Sequence, residues 1–107
     1  MTNTPTPKIL GKDSNENVYF LTASSNYTFL SFSNGKRRIS GYSLGFFENV
    51  LNDDFLRVNR SYLINKSFID KVLDRGGKHF VRLKNNQEIR ISRRKTSQIL
   101  KVCKIYK

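Results

Sequence analysis

The sequence predicts a mostly β fold with two short helices, one near residues 43–52 and one near 93–105. Three observations carry that expectation. Apolar and polar residues alternate along several short runs, the two-residue period of a pleated strand. Turn-forming residues separate those runs, at Asn34-Gly35, at Asp74 to Gly77 and at Asn85-Asn86. Helical spacing of apolar residues appears in only two places, each behind a serine.

Residues 1–7 contain Thr2, Thr4, Thr6, Pro5 and Pro7, a composition expected to form a disordered tail. A single domain is expected over residues 8–107, because domains commonly run to about 100–150 residues. Lys8–Gly11 reads as a short strand, Asp13–Asn17 as a turn, and Val18–Thr22 as a buried strand that breaks at Ala23-Ser-Ser-Asn26. Tyr27–Ser33 resumes it, with Leu30 and Phe32 on one face. Asn34-Gly35 suits a type I′ hairpin turn, which needs positive φ at both central residues, so Lys36–Ser40 should pair back on Phe29–Ser33. Lys36, Arg37 and Arg38 would protect an edge strand against aggregation or meet a phosphate. Ser43 is a candidate N-cap for a helix to about Leu51, where Leu44, Phe47, Val50 and Leu51 form one stripe that should cover the sheet. Phe46, just off that stripe, widens the face or touches a neighbour. Asn52-Asp53-Asp54 then ends the helix.

From Phe55 a strand places Phe55, Arg57 and Asn59 on one face and Leu56, Val58 and Arg60 on the other. Arginine on both faces does not suit a long strand buried on one side. We read a strand that stops at Asn59-Arg60-Ser61 and presents polar groups to a partner, after which Tyr62, Leu63, Ile64, Phe68 and Ile69 return to the core. Asp74–Gly77 turns the chain into Phe80–Lys84, with Val81 and Leu83 inward. Asn85-Asn86 turns it again into Glu88–Ile91, with Ile89 and Ile91 inward and Arg90 outward. His79, with no cysteine or carboxylate cluster beside it, reads as a surface residue. Ser92 to Tyr106 reads as a helix with Ser92 as N-cap and Ile99, Val102, Cys103 and Tyr106 on one face. Its first turn, Arg93-Arg94-Lys95, has the wrong sign for the positive end of a helix dipole, at roughly 0.3–1 kcal/mol per exposed charge. A phosphate there would compensate.

Charge distribution narrows the function. The formal net charge is +12. Residues 1–55 balance Lys8, Lys12, Lys36, Arg37 and Arg38 against Asp13, Glu16, Glu48, Asp53 and Asp54, so the whole excess lies in residues 56–107. That asymmetry favours a polyanion, nucleic acid before membrane. Cys103 is the single cysteine, so no internal disulfide can form, and neither a zinc site nor a redox pair is expected. Scattered acids and one histidine argue against a small nuclease, so no catalytic residue, metal or other cofactor, or small-molecule substrate is expected. No apolar stretch reaches the roughly 18–20 residues of a membrane span and no signal peptide opens the chain, so a cytoplasmic location is expected.

The run Phe55–Asn65, FLRVNRSYLIN, followed by Ile69 and by Ile91-Ser-Arg-Arg94, resembles the signature of the LytTR-type DNA-binding domain of bacterial transcription regulators. Ala23–Tyr27 before a strand and Tyr42-Ser-Leu44 before a helix extend the resemblance over roughly Val18 to Lys101. No single motif is specific, but four in the family's order are. The resemblance implies an elongated arrangement of antiparallel sheets whose loops enter the major groove of double-stranded DNA from one side. It puts Asn26 or Tyr27, Arg60 and Arg93 where the family reads bases, with Asn59, Arg94 and Lys95 as supporting contacts. Asn59 departs from the histidine most often found at its position. The implied role is a sequence-specific response regulator of a two-component system, binding repeated half-sites, with a homodimer on DNA. Relatives usually carry a receiver or membrane segment ahead of this domain, so the chain is either free-standing or a piece of a longer regulator. The other reading of the residues alone is an RNA or single-strand module stacking bases on Tyr27, Tyr42 or Phe46.

Overall fold

Burial on both faces of one sheet organises the fold. The computed structural model describes residues 18–51 and 54–102. Among these, eight antiparallel strands form two sheets: β1 (Val18–Ser24), β2 (Tyr27–Phe32), β3 (Arg37–Ser40), β4 (Phe55–Arg57) and β5 (Tyr62–Asn65) in the order β3-β2-β1-β5-β4, and β6 (Ile69–Arg75), β7 (Lys78–Leu83) and β8 (Glu88–Arg90) in sequence order. Helix α1 (Leu44–Val50) lies between β3 and β4, and α2 (Arg93–Val102) follows β8. The extents are 41 × 32 × 25 Å, in keeping with the elongated form expected.

Cross-strand register produces two cores. Leu21 pairs with both Leu30 and Leu63, and these three pack with Phe32, Phe55 and the α1 residues Leu44 and Phe47 on one face. One position along, Phe20 pairs with Ile64, which packs on the opposite face with Leu56, Val58, Val72, Val81 and the α2 residue Ile99. Fully burying each such side chain contributes about 1.5–3 kcal/mol. Strand β4 is therefore covered on both sides, with Phe55 toward α1 and Leu56 toward the second sheet. That explains Arg57: it follows Phe55 on the α1 side and meets Glu48 of α1. Arg60 is not on the strand at all, since β4 ends at Arg57.

Ser43 caps α1 as expected, accepting from the Phe46 amide at 3.1 Å. Phe46 stacks on Tyr42 with ring centroids 4.3 Å apart, so it touches a neighbour. One turn differs from expectation. At Asn34-Gly35 only Gly35 has positive φ, 92°, with Gly35 N–H donating to Phe32 O and Phe32 N–H to Lys36 O. This is a three-residue loop with glycine in the left-handed region, not type I′. Lys84-Asn85-Asn86 repeats it, with Asn86 at φ 73°. The turn with two positive φ values is Gly76-Gly77, at 67° and 89°, between the paired residues Arg75 and Lys78. Strand β1 also runs on to Ser24, so the break expected at Ala23 comes at Ser25-Asn26.

β3 is an edge strand, and the Arg37 guanidinium sits 5.2 Å over the Phe29 ring, which fits edge protection. His79 is half-buried, 3.7 Å from Asp74. The tail at 1–7, the strand at Lys8–Gly11, the turn at Asp13–Asn17, the Asn52-Asp53 helix end, and Cys103 and Tyr106 on the final helix lie outside the described residues. α2 is described to Val102, short of the expected 105. No helix among the described residues is long and apolar enough to cross a membrane.

Candidate nucleic-acid interface

Three loops converge at one end of the molecule because backbone hydrogen bonds tie them together. The central one, Asn59–Ser61, joins β4 to β5, with Val58 N–H donating to Tyr62 O across it. Ala23 N–H donates to Ser61 O at 2.8 Å, which brings the Ser25-Asn26 turn alongside. Ser92 N–H donates to Val58 O at 2.9 Å, which brings up the start of α2. The central turn is thus the hub from which both outer loops are placed.

Two side chains shape that hub. Asn59 Oδ1 accepts from the amides of Ser61 and Tyr62 at 2.7 and 3.0 Å, an Asx arrangement that stands in for regular turn bonds. Its Nδ2 donates to Arg90 O at 2.6 Å, joining the turn to β8. Arg57 grips the turn from the other side: Nε donates to Asn59 O, one terminal nitrogen to Arg60 O, both at 2.8 Å, and the other to Glu48 at 2.7 Å. A planar guanidinium suits three partners at fixed angles where an ammonium would not.

Arg60 is left exposed at the tip. It lines two open hollows. One, of 360 Å3, is bordered by Asn26, Tyr27 and the start of α1. The other, of 530 Å3, is bordered by Asn59, Ser92, Arg94 and Lys95. Five of the other six expected site residues therefore gather around Arg60, while Arg93 borders neither hollow and stands exposed at the α2 start. Tyr27 is 52% exposed. Among the described residues Glu48 is the one acid on either hollow and is paired with Arg57, so the described lining is mainly basic. The first turn of α2 holds no acid. Ser92 begins α2 through its backbone carbonyl, which accepts from Lys95 N–H and Thr96 Oγ1.

Arg57 and Glu48, which brace the central turn, are residues of the candidate site that sequence reasoning missed. Arginine on a strand otherwise buried was the available signal for the first. Nothing local marks Glu48, which meets Arg57 only once α1 has docked.

Comparison with known proteins agrees with this architecture. A solved Bacillus cereus chain, described as the LytTr DNA-binding domain of a methyl-accepting/DNA response regulator, superposes with a TM-score of 0.75 over 84% of both chains, at 24% sequence identity, a likeness of fold. No curated protein sequence matches this one significantly. The family model of the LytTr DNA-binding domain matches residues 14–104, which takes in every described strand, both described helices and all three converging loops, and the chain accordingly belongs to the LytTR family of DNA-binding domains.

Proposed function

We propose that this DNA-binding domain is a sequence-specific transcription regulator that reads bases in the major groove from its three loops, with Arg60 at the centre. The observation that carries this reading is the position of Arg60, exposed on a rigidly held turn and shared by both hollows. Arginine forks onto guanine O6 and N7, and asparagine onto adenine, so Arg60, Arg93 and Asn26 have the chemistry of base readers. Tyr27 adds apolar contact. Arg94 and Lys95 neutralise phosphate at the α2 N-terminus, where dipole and side chains act together. Asn59 supports by shape, since its amide is bonded to Ser61, Tyr62 and Arg90. The Bacillus cereus neighbour is described as the DNA-binding domain of a methyl-accepting/DNA response regulator, and an output role in two-component signalling, with two copies side by side on repeated half-sites, fits the same reading.

Selection from a randomised duplex pool tests it. A defined motif should emerge, preferred over scrambled duplex by about 10³-fold or more. Arg60→Ala and Arg93→Ala should each cost roughly 1–3 kcal/mol on the selected duplex and relax preference at one base pair, while Lys95→Ala weakens all sequences alike. Steep salt dependence with no enriched motif would show backbone binding only and remove the base-reading roles. Single-stranded competitor as effective as duplex would favour the stacking alternative.

A further inference from the structure

The outer face of the second sheet carries charge that the three loops do not use. Strand alternation turns Val72, Val81 and Ile89 inward, so Lys71, Arg75, Lys78, Arg82 and Arg90 share the opposite face with Glu88, and with Asp70 at the β6 bulge, the end far from the hairpin tip. Glu88 Oε2 accepts from Arg75 at 2.9 Å and from Arg82 at 3.2 Å, one carboxylate between two guanidiniums. No acidic side chain among the described residues pairs with Lys78 or Arg90, and both are exposed. Five cations against two acids, with no acid of that face beyond Glu88 near the tip, exceed what solubility needs, and like charges that close repel unless an anion is present.

Position decides which anion. Ile91 N–H donates to His79 O at 2.8 Å, so the first residues of β7 run beside Ile91 and Ser92, and the Arg75-Gly76-Gly77-Lys78 tip lies at the same end of the molecule as the start of α2. Arg90 is tied to the central turn through Asn59. The basic face is therefore continuous with the loop end, and Arg75, Lys78 and Arg90 are its nearest members. Lys71 and Arg82 stand four register positions back from the tip pair Arg75 and Lys78. A polyanion seated on the loops would pass this edge.

We infer that the β6–β7 hairpin tip and Arg90 form a phosphate clamp on the duplex flanking the base pairs read by the loops. This rests on the reading above and extends it. Lys and Arg on phosphate position a protein without reading sequence, and each neutralised phosphate releases counterions. Two contacts made by Arg75 and Lys78 contribute about 0.9 each to the slope of log K against log salt.

The test uses the whole chain on selected and scrambled duplexes, titrated at several salt concentrations, with hydroxyl-radical footprinting. Arg75→Gln with Lys78→Gln should weaken both duplexes by the same factor, make the salt slope shallower by nearly 2, and shorten protection on one flank. Lys71→Gln, a charge change farther back on the same face, should have a clearly smaller effect per charge. Glu88→Gln, which removes the acid held between Arg75 and Arg82 and keeps all five cations, should strengthen binding to both duplexes, a gain that misfolding cannot mimic. If the wild type shows no preference for the selected duplex, the base-reading proposal itself fails. If preference holds but the double variant keeps its slope and footprint, or Lys71→Gln matches it charge for charge, or Glu88→Gln leaves affinity unchanged or lower, the clamp is wrong. A changed ratio between selected and scrambled duplex would also overturn it, by making the hairpin a base reader.

Discussion

Phe47→Ala is expected to lower stability by about 3–5 kcal/mol, the range for removing a fully enclosed aromatic ring. Phe47 is 0% exposed and packs with Leu44 in the core between α1 and the five-stranded sheet. It also meets Tyr42 and Phe46 edge-on, at centroid distances of 6.4 and 5.5 Å. A seven-residue helix cannot persist without tertiary contacts, because nucleation is costly and few intrahelical bonds follow. Deleting the ring therefore loosens the whole of α1, and with it the Glu48 carboxylate that braces Arg57. Urea unfolding followed by circular dichroism gives the number. Phe46→Ala, on the open side of the same helix and stacked on Tyr42, is the comparison, with about 0.5–1.5 kcal/mol of aromatic contact at stake. Equal losses from the two substitutions would show that Phe47 is not the anchor.

Asn59→Ala is expected to damage both stability and readout. Three hydrogen bonds vanish together, and the amides of Ser61 and Tyr62 and the carbonyl of Arg90 lose their partner. Water can reach part of this turn, so the cost falls in the range of about 1–3 kcal/mol for leaving polar groups unsatisfied. The tip that presents Arg60 then loses its fixed shape. Affinity for the selected duplex should drop more than affinity for scrambled duplex, because phosphate contacts tolerate a mobile tip and base contacts do not. Unfolding measurements paired with titrations of both duplexes separate two roles. Unchanged stability with lost affinity would mean that the Asn59 amide works outward, on DNA. Arg57→Lys should act in the same direction as Asn59→Ala, since an ammonium cannot serve Glu48, Asn59 O and Arg60 O from three fixed positions.

Local chemistry made much of this fold legible. Ser43 caps its helix because a hydroxyl one residue before an apolar stripe can reach the third amide, a relation contained within four residues. The β2–β3 and β7–β8 hairpins follow likewise from alternation and an intervening turn. Turn type was less secure: Asn34-Gly35 permits two positive φ values, but the flanking pairing requires only Gly35 to adopt one. Of the candidate site, the sequence marked three separate polar loops, and the family resemblance implied seven residues on them. It could not say which would meet. Arg93, alike in type to Arg60, stands outside the hollows that Arg60 joins.

Alternation, turns, caps and charge thus determined by themselves the mostly β class, the two helices and the basic second half, because each depends on residues within a few positions of one another. Tertiary structure alone decided that β1 pairs with β5 some forty positions away, that β4 is buried on both faces, and that Arg57 binds Glu48. Those contacts join segments whose sequences carry no mark of each other. They form because burying both faces of one sheet removes more apolar surface from water than covering either face alone.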